Sequence, residues 1–191
     1  MSERTERHTA AQNNDLTREG HERTPDRHSM SEATEADRQW LGSAIELSRL
    51  SPPTQTNYAV GAIIVDHEGA ALATGFTGEI GPRDHAEEVA LAKLADRQGL
   101  NLAEATIYSS LEPCTARKSR PGTCTDLILA AGIKRVVIAL REPLLFVDCH
   151  GVETLRERGI DVIEISDLGR PVREINAHVL DHGYADGIRQ A

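Results

Sequence analysis

The sequence predicts a three-layer α/β/α domain built on a mixed five-stranded sheet, and three observations predict it. Short β-branched apolar runs alternate with segments of helical period between residues 36 and 165. The first two runs are joined by the polar turn Asp66-His67-Glu68-Gly69, which reads as a hairpin. The later runs are separated by helical segments, and strands joined through helices run parallel with right-handed crossovers. A parallel set beside an antiparallel hairpin, with helices covering both faces, gives the layered architecture.

Residues 1–35 come first, and their only sizeable apolar side chains are Leu16 and the two methionines. Such a segment cannot bury enough surface to offset its ordering entropy, so it is expected to be a disordered tail. A helix is expected over 36–50, where Trp40, Leu41, Ala44, Ile45 and Leu47 share a broad face and Ser51-Pro52-Pro53 stops it. Strands over 58–65 and 70–76 form the hairpin. A helix over 85–100 carries Val89, Leu91 and Leu94, and a short strand over 105–110 follows. The next helix, 124–131, is stopped by Gly132. A strand over 135–140, a helix over 151–158 ended by Gly159, and a strand over 161–165 complete the pattern. The folded domain is therefore expected to span 36–166. Residues 167–191 form a C-terminal helical extension, with a short helix over 171–180. Ligand sites in such sheets gather at the carboxyl ends of strands and the N-termini of the helices that follow.

The chain has 191 residues, enough for one domain with a buried core and too few for two full catalytic domains. Its 21 basic and 30 acidic residues give −9, and setting aside 1–35, with 5 basic against 8 acidic residues, leaves −6. An acidic body is a poor partner for a polynucleotide backbone, which is gripped by clustered Lys and Arg. A small-molecule substrate is expected and nucleic acid is not. No apolar run approaches the roughly 20 residues that span a bilayer, and the N-terminus lacks the apolar core of a secretory signal. The expected location is cytoplasmic, with no membrane partner. Three cysteines, two of them close together, suit a metal site in a reducing compartment more than a disulfide framework.

Chemistry concentrates in three places. His85-Ala86-Glu87 stands at the start of an expected helix, Glu112-Pro113-Cys114 closes an expected strand, and Cys124 opens another helix. One imidazole and two thiolates form a donor set that zinc accepts, and three protein ligands leave a fourth position for water. His85, Cys114 and Cys124 are therefore the candidate Zn²⁺ ligands. Glu87, two residues beyond the histidine, can reach water at the metal without binding the metal. Hydrolytic removal of a ring amine needs such a shuttle, because the ring nitrogen and the departing amine both gain protons. A His-x-Glu with a later pair of cysteines is the pattern of zinc nucleobase deaminases. A closed structural zinc site, with Cys149 or His150 as fourth ligand, is the alternative, and it leaves Glu87 without a role.

These residues resemble the cytidine-deaminase-like superfamily, and within it the pyrimidine deaminase domain of bacterial riboflavin biosynthesis. The likeness runs from about Trp40 to Ile165 and rests on Asn57 with Val60-Gly61, on His85-Ala86-Glu87, on Leu111-Glu112-Pro113-Cys114, and on 127–137 with its Ala130-Ala131-Gly132 turn. Nine residues separate Cys114 from Cys124. The resembling riboflavin-type deaminases have a similarly long insertion, whereas dCMP and tRNA-adenosine deaminases usually have two residues there. The resemblance implies a cytidine-deaminase-like fold and hydrolytic deamination of an aminopyrimidine, with Zn²⁺ as cofactor and a homodimer or higher homo-oligomer. It also implies substrate contacts from Asn57, Ala86, Ser110 and Glu112. In the long loop, which holds Arg117, Lys118 and Arg120, it implies contacts from Lys118 and Arg120, the latter at the position that meets substrate phosphate in the family.

Two departures qualify the resemblance. Leu144 stands where the family usually places a substrate-binding Asn after the fourth strand, so the substrate's identity stays open, phosphorylated or not. Only 166–191 follow the fifth strand, too short for the reductase domain of the bacterial enzyme, so no hydride transfer is expected. Other readings are a cytosine, dCMP or guanine-type deaminase and, in a different class, a catalytically silent zinc-binding subunit.

Overall fold

The computed structural model describes residues 31–117, 121–143 and 149–180. The tail 1–30, the loop residues Lys118 and Arg120, and Leu144 lie outside the described residues. Helix α1 (Glu35–Ser48) starts at Thr34, whose hydroxyl accepts the Asp37 N–H while the Asp37 carboxylate accepts the Thr34 N–H, a reciprocal cap that fixes the first turn. Strands β1 (Gly61–Val65) and β2 (Ala71–Phe76) form the antiparallel hairpin. Then come α2 (Ala86–Ala92), β3 (Thr106–Ser109), α3 (Cys124–Ala131), β4 (Arg135–Ile138), α4 (Gly151–Glu157), β5 (Asp161–Glu164) and α5 (Gly169–Ile175).

The sheet order is β2-β1-β3-β4-β5; β1 pairs antiparallel with β2 and β3, and β3, β4 and β5 run parallel. Successive parallel strands advancing in one direction force their right-handed crossovers onto one face, so α3 and α4 pack side by side, next to α2. Helices α1 and α5 pack against each other on the opposite face. The fold is therefore the expected three-layer sandwich with a mixed five-stranded sheet. Its core is aliphatic: Leu41, Ile64, Ile107, Ile128, Val136, Ile138 and Leu155 are fully buried.

Several elements are shorter than their apolar patterns. The run from 58 enters the ladder only at Gly61, because both backbone groups of Ala59 go to the Asn176 side chain and the Val60 N–H goes to the Thr77 hydroxyl. The helical pattern after His85 leaves α-geometry at Lys93, and 94–97 continue as i→i+3 turns up to Gly99, whose φ of 79° suits a residue without a Cβ. The expected helix over 171–180 begins instead at Gly169, accepts Pro171 in its first turn, and is interrupted at Asn176.

Candidate active site

The site forms where the carboxyl ends of β3 and β4 meet the first turns of α2 and α3. His85 is the residue before α2, in extended backbone (φ −87°, ψ 154°), which turns its ring out of the helix while Glu87 stays in the first turn. Helix α2 can lie close enough to the sheet for this only because β2 carries Gly75. A Cβ there would stand 2.3 Å from the Ala86 carbonyl oxygen and 2.7 Å from the Ala90 nitrogen. Cys124 is the first residue of α3, and Thr123 caps that helix reciprocally with Asp126. Cys114 reaches the same point from the loop after β3. Its carbonyl accepts the Thr125 hydroxyl at 3.1 Å, and its sulfur accepts the Cys124 backbone N–H at 3.4 Å.

The result is a compact donor set. His85 Nδ1 stands 3.5 Å from Cys114 Sγ and 3.5 Å from Cys124 Sγ, and the three donor atoms lie within 4.8 Å of one another. A tetrahedral zinc with bonds of roughly 2.3 Å to sulfur and 2.0–2.1 Å to nitrogen holds those ligands about 3.5 Å apart, so the residues fit the ion. Cys149 and His150, the candidate fourth ligands of the closed alternative, are outside the cluster; the Cys149 thiol faces the Pro113 carbonyl at 3.6 Å.

The electrostatics follow from crowding. The hydrogen bond between the two sulfurs lowers Cys114 well below the ordinary thiol range, with His85 adding to the effect, while the same bond and burial raise Cys124. Against the effect of burial, which lowers an imidazole, the Cys114 thiolate and Glu87 raise His85. Burial raises Glu87, opposed by His85 and by the Ser109 hydroxyl, which donates to Oε1 at 2.8 Å. Ser109 ends β3 and is fully buried, so this bond fixes the Glu87 carboxyl beside the ligand cluster.

A cavity of about 550 Å³ opens over the cluster, with His85, Glu87 and Cys114 in its wall. Asn57 lines it and donates from its side chain to the Pro82 carbonyl at 3.2 Å. Glu112 also lines it, although its two oxygens accept the backbone N–H groups of Val152 at 2.8 Å and Glu142 at 3.1 Å, bracing the Cys114 loop against β4 and α4. Ala86 and Ser110 are fully buried, and Ser110 Oγ accepts the Gly61 N–H at 3.1 Å.

Two wall residues carry more than the sequence reading gave them. Arg117 donates to Glu88 at 2.9 Å and to the Gly122 carbonyl at 2.7 Å, so this cation of the basic loop is packed in beside the ligand cluster. Glu142 was not singled out at all. It lines the cavity, and burial first, then the Cys114 and Glu112 charges, push its carboxyl up to about 7, against the opposing Cys149 hydrogen bond and His85. An acidic residue directly before a proline at the end of a strand that points into the site is the signal that could have found it.

A sheet-end cavity over one imidazole and two thiols, with a fixed carboxyl beside them, defines a metal-hydrolase type of site. Residues 34–140 match the cytidine and deoxycytidylate deaminase zinc-binding region, and the chain belongs to that family. It is 37% identical over 127 residues to the diaminohydroxyphosphoribosylamino-pyrimidine deaminase of Schizosaccharomyces pombe, covering 66% of this chain and 31% of that protein. To the riboflavin biosynthesis protein RibD of Aquifex aeolicus it is 36% identical over 143 residues, 74% of this chain and 38% of that one. Among solved structures, the Rib2 deaminase of Aspergillus oryzae, a C-terminal deletion mutant, superposes with a TM-score of 0.68 at 27% identity, covering 78% of this chain and 97% of that one. The chain thus spans about a third of the length of these two curated relatives and nearly all of the truncated Rib2 deaminase chain. Among the described residues, no helix is long and apolar enough to cross a membrane.

Proposed function

We propose that this chain is a zinc-dependent hydrolytic deaminase that removes an exocyclic amino group from an aminopyrimidine. The observation that carries the reading is the buried Glu87 carboxyl, held by Ser109 beside the converged His85, Cys114 and Cys124, with Glu87, His85 and Cys114 in the wall of a cavity of about 550 Å³. His85, Cys114 and Cys124 would hold the zinc, which when bound supplies the Lewis acidity that makes water a nucleophile near neutral pH. Glu87 would carry the first proton of the attacking water to the ring nitrogen and the second, released from the added hydroxyl, to the departing amine, which leaves as ammonia while the ring keeps the oxygen as a carbonyl. Asn57 and Glu142, both in the cavity wall, offer a donor and an acceptor for the ring edge.

The names of the relatives support a diaminopyrimidine carrying a phosphoribosyl group as the substrate class. Lys118 and Arg120 are then the cations that meet the phosphate. The test is ammonia release from a panel of aminopyrimidines, nucleotide and free base, by zinc-loaded enzyme. Cys124→Ala should lose both zinc and activity, whereas Cys149→Ser should keep about one zinc per chain. A fully zinc-loaded Cys124→Ala protein would remove that ligand assignment, and silence toward the whole panel would remove the reading.

A further inference from the structure

One wall of the cavity is made by Asn57, Tyr58 and Val60, a segment that precedes β1 and has no ladder of its own there. Its backbone is held by side chains and by the Thr77 main chain. Val60 N–H donates to the Thr77 hydroxyl at 3.2 Å, and its carbonyl accepts Thr77 N–H at 3.0 Å. Both backbone groups of Ala59, between the lining residues Tyr58 and Val60, go to one side chain 117 residues away. Ala59 N–H donates to Asn176 Oδ1 at 2.7 Å, and its carbonyl accepts from Asn176 Nδ2 at 3.1 Å. A primary amide presents the same donor and acceptor as a peptide unit, so Asn176 takes the place a neighbouring strand residue would fill.

Asn176 is 1% exposed, and its second amide hydrogen goes to the Val172 carbonyl at 3.0 Å, so all three bonds are buried. The helical run is broken at this residue. Residue 176 also lies beyond the stretch 34–140 that matches the deaminase family.

We propose that Asn176 is a positioning residue of this pocket: by clamping Ala59 it sets the depth of the Asn57, Tyr58 and Val60 wall against which the substrate ring lies, while touching neither substrate nor the metal ligands. The proposal rests on the deaminase reading above. Without the amide, two buried backbone groups lose their partners, and the segment must shift toward water or another donor to satisfy them. Glu87 stands on α2, His85 just before it, Cys124 at the start of α3 and Cys114 in the loop after β3, and none of their bonds passes through Ala59.

The decisive variants are Asn176→Leu, which fills the space without any of the three bonds, and Asn176→Asp, which keeps the acceptor for Ala59 N–H and loses the donor. Two readouts are needed: amide hydrogen exchange at Ala59, and KM and kcat for ammonia release normalised to bound zinc. The expected result is faster exchange at Ala59 in Asn176→Leu and KM raised about tenfold with kcat per zinc within about twofold, and a smaller KM rise in Asn176→Asp. A merely structural residue would lower the folded, zinc-loaded fraction and leave KM of the remainder unchanged. Faster exchange with unaltered KM would therefore overturn the positioning role, and unaltered exchange would overturn the clamp itself. If Asn176→Leu does not fold, Asn176→Asp carries both arms, with the same outcomes deciding. Wild-type enzyme inactive on the whole panel would instead sink the deaminase reading, and the exchange measurement would still decide the clamp.

Discussion

Glu142 shows what a single residue gains from its surroundings. Half-buried in the cavity wall near Cys114 and Glu112, its carboxyl is pushed up to about 7, so it takes up a proton as the pH falls through neutrality. A protonated carboxyl is a weaker acceptor for a ring N–H than a carboxylate. KM for an aminopyrimidine should therefore rise as pH drops below about 7, and Glu142→Gln should show a higher KM that no longer changes over this range; identical pH profiles for the two proteins would contradict the contact. His85, Glu87, Cys114 and Cys124 were legible in the sequence because their spacing places them at helix starts and a strand end. Glu142, the packing of Arg117 against Glu88, and Asn176 were not. Their partners are 29 to 117 residues distant and meet them only through the topology.

At the scale of elements, the helical and strand periods were readable from 35 to 165, and their ends were not, since the ends depend on which side chain takes a backbone bond. The start of β1 at Gly61 and the break at Asn176 are one event seen from two elements. The approach of α2 to β2 is another such joint, and it admits no side chain at residue 75. Gly75→Ala would force backbone apart, because the contacts at 2.3 and 2.7 Å are with main-chain atoms of α2. Since α2 carries Glu87 and follows His85, this variant should lose about 1–3 kcal/mol of stability in denaturant unfolding and bind zinc more weakly. By contrast, Gly69→Ala, at a turn where nothing stands near the added carbon, should leave zinc affinity unchanged despite its φ of 84°. Equal zinc affinity in both variants would dissociate the α2–β2 contact from the site.

For the whole molecule, the order of helices and strands was enough to derive three parallel strands beside an antiparallel hairpin, but not that β1 rather than β2 lies against β3. The tie that fixes α1 to the sheet was hidden, however. Asp37 is bound by Arg135 through two bonds of 2.7 and 2.8 Å and by the Tyr108 hydroxyl at 2.9 Å. Burial alone would raise its carboxyl; Arg135, Thr34 and Tyr108 outweigh that and hold it far below the ordinary carboxylate range. A depressed carboxyl stabilises the fold fully above its unfolded value near 4, and this contribution is lost as pH falls below that value toward the folded one. Stability should accordingly drop below about pH 4, and Asp37→Asn should cost about 1.5–3 kcal/mol at pH 7 while flattening that acid limb. An unchanged acid limb in the variant would remove Asp37 from the account.

The central claim is that the fold brings a proton-carrying carboxyl to a zinc-ligand cluster that forms without it. The most direct measurement is ammonia release by zinc-loaded Glu87→Gln alongside its metal content. The account predicts about one zinc per chain and activity reduced at least roughly 10²-fold. A Glu87→Gln protein that holds its zinc and deaminates at a rate close to wild type would contradict it.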